Sequence, residues 1–116
     1  MEIKIVKDSI SKKELREIAK QQFGDLVKAV VDIDQEIMAV GGEMHADEEV
    51  ILMEQEGSKR EYTWGINLYP EKSREELIEF DSMINIKPSY NNHSRDVEDL
   101  KIKEKINMIV TKFVVE

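Results

Sequence analysis

LVKAVVDIDQEIMAV, residues 26–40, is the stretch whose reading decides the fold. Val27, Ala29, Val31 and Ile33 alternate with Lys28 and Asp32, and a period of two is that of a strand with one buried face. Asp34 and Gln35 interrupt the run with turn-forming chemistry, and Ile37 to Val40 resumes it. A strand that reverses after so few residues can only pair antiparallel, because a parallel return needs a crossover of a dozen residues or more. Gly41-Gly42 then ends the second arm.

Outward from this hairpin, helices and further strands follow by the same arithmetic. Glu2 to Val6 reads as a short strand. Ile10 to Gly24 reads as a helix opened by a capping box, in which the Ser11 hydroxyl accepts from the Glu14 N–H and the Glu14 carboxylate reaches back to Ser11. Leu15, Ile18, Ala19 and Phe23 recur at helical spacing, and Gly24 stops the run. Ala46 to Glu56 favours a helix over a strand, with Asp47 as its cap and Glu48 and Glu49 in its positive first turn. Tyr62 to Tyr69 alternates, with Tyr62, Trp64, Ile66 and Leu68 on one face, and Pro70 ends it. Leu77 to Lys87 alternates again up to Pro88. A last helix is expected after a cap at Ser94 or Asp96, with Ile102, Ile106, Ile109, Val110 and Phe113 as its stripe and Asp99–Lys103 as an i,i+4 pair. The order is β-α-β-β-α-β-β-α over residues 1–116. This is a single α+β domain with an antiparallel or mixed sheet of about five strands, three helices, and the helices on one face.

Composition narrows the function classes. Hydrophobic residues make up 41% and charged residues 36% of the 116 residues, which suits one folded domain. The net charge is −8, so no nucleic-acid backbone is expected as a partner. No apolar run approaches the roughly 20 residues a bilayer needs, so no membrane is expected either. The start, MEIKIVKD, lacks a signal-peptide core, and cytoplasmic residence follows as the expectation. There is no cysteine. That removes disulfides, zinc-thiolate centres and thiol nucleophiles.

GGEMHADEE (41–49), WGINLYPE (64–71), FDSMINIKP (80–88) and NHSRDVED (92–99) together resemble a family of small prokaryotic proteins catalogued as a domain of unknown function. The resemblance runs over nearly the whole chain. It implies no activity, cofactor or catalytic residue, so roles must come from side-chain chemistry.

Three polar clusters carry that chemistry. In the first, Glu43, His45 and Asp47 would share a side if residues 43–47 were extended. Imidazole and carboxylates suit a divalent metal, but only His93 could supply a second histidine, and no closed four-ligand set is evident. In the second, Thr63, Asn67, Glu79, Asp81 and Asn85 would share the polar face of a 62–87 hairpin. Asn and Asp are poor strand formers, so their presence asks for a reason other than sheet stability. In the third, Asn91, Asn92, His93, Ser94 and Arg95 precede the last helix, where backbone N–H groups, Ser and a guanidinium suit an anion. No phosphate loop, dinucleotide glycine motif or G-x-S-x-G serine is present. A ligand site would join the three clusters on one concave surface and would bind a small anionic molecule. His45 and Asp81 would be its catalytic pair, and Glu43, Asp47, Asn67, Asn85, Asn92, Ser94 and Arg95 its binding groups. His45 is the proton carrier of choice, since its ordinary pKa is near neutrality. The alternative is an interaction module or homodimer without catalysis, which would need an exposed apolar patch.

Overall fold

The computed structural model describes residues 2–116. Its main sheet has five strands, β1 (Lys4–Val6), β3 (Val27–Asp32), β4 (Ile37–Val40), β5 (Thr63–Leu68) and β6 (Ile78–Glu79). They lie in the order β1-β4-β3-β5-β6, and every neighbouring pair is antiparallel. A parallel two-residue ladder joins β2 (Ile10–Ser11) to β7 (Val114–Val115). Three helices complete the α+β fold: α1 (Lys12–Gln21), α2 (His45–Glu56) and α3 (Leu100–Phe113).

The 26–40 hairpin forms with a four-residue connection rather than a two-residue turn. Asp32 holds it: its Oδ1 accepts from the N–H groups of Asp34 and Gln35 at 2.9 and 3.1 Å, and Glu36 takes a positive φ of 56°. On one sheet face Val27, Ala29, Val31, Trp64, Ile66 and Leu68 meet the stripes of α1 and α3 in the larger core. On the other, Val30, Ile37 and Ala39 meet Leu52 of α2 and Ile84 in a smaller core. The helices therefore do not share one face. Both sides of β3 and β4 are apolar, as Val30 and Val31 in succession require, so the hairpin sits between two layers.

α1 starts at Ser11, whose Oγ accepts from the Glu14 N–H at 3.0 Å. The Glu14 carboxylate does not return to Ser11; it pairs with Lys4 at 2.8 Å. The helix ends before Phe23, which is exposed. α2 starts two residues earlier than Asp47. Its N-cap is Met44, with no side-chain capping bond, so Asp47 lies inside the first turn. α3 is capped by Asp99, whose carboxylate accepts from the Lys101 N–H at 2.8 Å. Ser94 and Asp96 belong to the preceding loop, and Lys103 pairs with Asp96 at 3.1 Å rather than with Asp99.

The largest departure lies at 77–87. Only Ile78–Glu79 pair with β5; the chain then leaves the sheet and turns through Met83–Asn85. The Asn85 side chain takes over the pairing. Its Oδ1 accepts from the Gly65 N–H at 2.8 Å, and its Nδ2 donates to the Gly65 and Arg95 carbonyls, each at 2.9 Å. Gly65 permits this approach, because a Cβ there would lie 2.5 Å from Ser82. Asn92 finishes the loop from within, donating to the carbonyls of Asn85, Ser94 and Asp96 and accepting from the Glu98 N–H. Lys87 is buried beside it. Its ammonium donates to the carbonyls of Arg60 and Thr63 and lies 3.9 Å from the centre of the Trp64 ring.

Candidate functional site

A cavity of about 210 Å³ opens on the α2 side of the sheet. Its walls come from the start of α2 (Met44, His45, Ala46), from β3 and β5 (Lys28, Asn67), from the turn after β6 (Asp81 to Ile84), and from Arg95. The sheet fixes two of these residues, since Lys28 and Asn67 are paired across β3 and β5. The loop that Asn85 and Asn92 hold in place fixes Asp81 and Arg95.

The start of α2 is open. The Asp47 and Glu48 N–H groups return to the Met44 carbonyl, and no side chain caps the turn. An uncapped helix start carries partial positive charge and unspent N–H donors. Two cations add to it. Lys28 is half-buried and pairs with no carboxylate among the described residues. Its Nζ lies 4.9 Å from the centre of the Phe23 ring. Arg95 donates through Nε to Asp81 Oδ1 at 2.6 Å, which leaves the terminal nitrogens of the guanidinium unspent.

His45 is held by one ring nitrogen. Its Nε2 lies 2.8 Å from the Ile66 carbonyl. A carbonyl only accepts, so Nε2 carries the proton and Nδ1 is the lone-pair side of the neutral ring. Burial pushes the pKa of His45 below its ordinary value, and Lys28 adds to that. The Ile66 carbonyl, Asp81 and the Asn67 side chain pull the other way.

Asn67 is 7% exposed. Its Nδ2 donates to Glu79 Oε1 at 2.9 Å and to the Asp81 carbonyl at 3.3 Å. Its Oδ1 is buried and has no partner. Buried side-chain oxygens in folded proteins are nearly always satisfied, by protein, water or ligand.

Of the residues singled out in the sequence, His45, Asn67, Asp81 and Arg95 thus line one cavity. The others lie elsewhere. Glu43 and Asp47 are exposed and outside it, because α2 begins at His45 and a helix does not keep residues 43, 45 and 47 on one side. Asn85 and Asn92 are buried in backbone hydrogen bonds. Ser94 donates to Glu98 at 2.7 Å, while its neighbour His93 donates its N–H to the same carboxylate at 2.9 Å. Among the described residues no group of three His, Cys, Asp or Glu side chains is placed to hold a metal ion. Lys28 is the wall residue the sequence did not mark: a lysine on the polar side of a strand is ordinary, and only its opposition to Asn67 sets it apart. Met44 and Met83 stand exposed at the rim, 57% and 66% respectively, an apolar lip that residue pattern alone did not mark. No helix of the described residues is long and apolar enough to cross a membrane.

A family model described as a protein of unknown function (DUF5674) matches residues 4–113. No curated protein and no solved structure matches the chain.

Proposed function

The chain belongs to this family of unknown function, and we propose that it holds a small molecule by an anionic group, a carboxylate or a phosphate, in the cavity at the start of α2. One observation carries the reading: two cations from separate elements, Lys28 and Arg95, converge with an uncapped helix start on one cavity. In a chain of net charge −8, a wall that sets Lys28 and Arg95 against the one carboxylate of Asp81 favours a small anion over an extended acidic polymer. The size agrees. Drug-sized ligands occupy roughly 300–1,000 Å³, so about 210 Å³ suits a smaller molecule.

The test is a titration of isotope-labelled protein, followed by NMR, with small carboxylates and organic phosphates. Resonances of Lys28, His45 and Ala46 should move together. Arg95→Ala or Lys28→Ala should weaken binding about tenfold, as the loss of a charged hydrogen bond does. Unchanged affinity in both variants would refute the reading.

A second reading adds proton transfer by His45. It is favoured by the tautomer, since donation of Nε2–H to Ile66 leaves Nδ1 as a base against the cavity. His45→Gln should then abolish solvent exchange of a ligand proton in D₂O while leaving binding in place. Exchange that survives in the variant would remove the reading.

A further inference from the structure

Asn67 is the most unusual side chain of the cavity. Its amide cannot be turned over. Exchanging oxygen and nitrogen would set the oxygen against the Glu79 carboxylate and the Asp81 carbonyl, both of which only accept. Its unpartnered Oδ1 is therefore fixed as an acceptor. The neighbouring ring offers no donor either: neutral His45 spends its one N–H on Ile66 and shows a lone pair at Nδ1.

His45 and Asn67 thus bring two neutral acceptors to the cavity wall, while Lys28, Arg95 with its Asp81 partner, and the start of α2 make up its charged part. A bare anion satisfies only the charged part and would be repelled by the two acceptors. We propose that the ligand is a small hydroxy acid, or the corresponding hydroxylated phosphate. Its anionic group faces Lys28, Arg95 and the start of α2, and its neutral hydroxyl donates to Asn67 Oδ1. The proposal rests on the anion-binding reading above.

A hydroxyl suits this wall better than an ammonium, because Lys28 stands against Asn67 across the two strands. Size narrows the class further. The cavity volume of about 210 Å³ lies below the roughly 300–1,000 Å³ of drug-sized sites, which suits a hydroxy acid of a few carbons.

The same geometry makes acid a competitor. When His45 gains its second proton, Nδ1–H becomes a donor for which the Asn67 side chain is a partner. The acceptor meant for the hydroxyl is then taken. The other charged groups that face the imidazole, Lys28 and Asp81, act on when this happens and not on what it does.

The experiment is an NMR titration of the wild-type chain with matched pairs: lactate against propionate, and 2-hydroxyethyl phosphate against ethyl phosphate. The hydroxylated member of a pair should bind at least about tenfold tighter, since a site built to hydrogen-bond a hydroxyl rejects the analogue that lacks it. The pair that binds tells carboxylate from phosphate. In Asn67→Ala the two members should become equal, with the deoxy member little changed. Should that variant fold poorly, the wild type supplies the second measurement. Its preference for the hydroxylated member should shrink as the pH falls through the titration of the His45 imidazole, observed in the same spectra. Equal affinities within both pairs would overturn the proposal and leave the anion site standing. Binding by none of the four would overturn both.

Discussion

Replacing Glu48 by Gln should reverse the direction in which acid acts on part of this protein's stability. Glu48 is 0% exposed. Its Oε2 accepts the Gly42 N–H at 2.8 Å, its Oε1 has no partner, and no ammonium or guanidinium pairs with it. Burial therefore raises its pKa well above the ordinary carboxylate value, against the smaller opposing pull of the Gly42 N–H and Lys28. The sign follows from proton counts. Between the ordinary value of 4.5 and the raised one, the folded chain holds a proton that the unfolded chain releases. Stability from this group is complete below the lower value and is lost as the pH rises through the upper one. The slope within the window is about 1.4 kcal/mol per pH unit. An amide keeps the Gly42 bond and has no proton to lose, so Glu48→Gln should gain on the wild type by that slope. His45 acts in the opposite sense, since its lowered pKa makes stability rise with pH just below its ordinary value, but it does so in both proteins. The difference between them therefore isolates Glu48. Urea unfolding at several pH values, with a common m-value, gives that difference. Parallel stability curves for the two proteins would refute the reasoning.

Gly42→Ala should cost about 1–3 kcal/mol by overpacking, because the new Cβ would sit 2.8 Å from Glu48 Cγ; a double-mutant cycle with Glu48→Ala should recover much of the loss, and strict additivity would argue against the contact. Lys87 should titrate near pH 8, since burial lowers its pKa to about 8, with Arg60 adding to the effect. The unfolded chain keeps that proton up to the ordinary value of 10.5, so stability should rise with pH between the two values in the wild type and stay flat in Lys87→Met, as read by denaturant midpoints. Asp47→Ala should cost less than a lost cap, a few tenths to about 1 kcal/mol at low salt, because Met44 holds the cap position; a salt-independent loss above about 2 kcal/mol would give Asp47 a structural role its exposure does not show.

How far the sequence could be read depends on whether an answer is local. The strands β3, β4 and β5 were legible because alternation is a property of neighbouring residues, and Ser11 marked α1 for the same reason. The two-sided burial of the hairpin was written in Val30-Val31, yet a one-sided sheet was the expectation, since a single apolar pair is weak against a clean period of two. The segment 77–87 alternates just as cleanly and still leaves the sheet after Glu79. There a side chain, Asn85, replaces the ladder, and Gly65, twenty residues away, makes room for it. The candidate site divides along the same line. Asn67 and Asn85 are both asparagines set in apolar alternation, and the sequence marks them equally. In the fold, Asn85 spends its oxygen on Gly65 and both its N–H groups on backbone carbonyls, so it is architecture. Asn67 spends its nitrogen and keeps an oxygen that meets nothing. What separates the satisfied amide of Asn85 from the half-satisfied one of Asn67 is the balance of donors and acceptors around each, and that balance is set by residues far apart in the sequence.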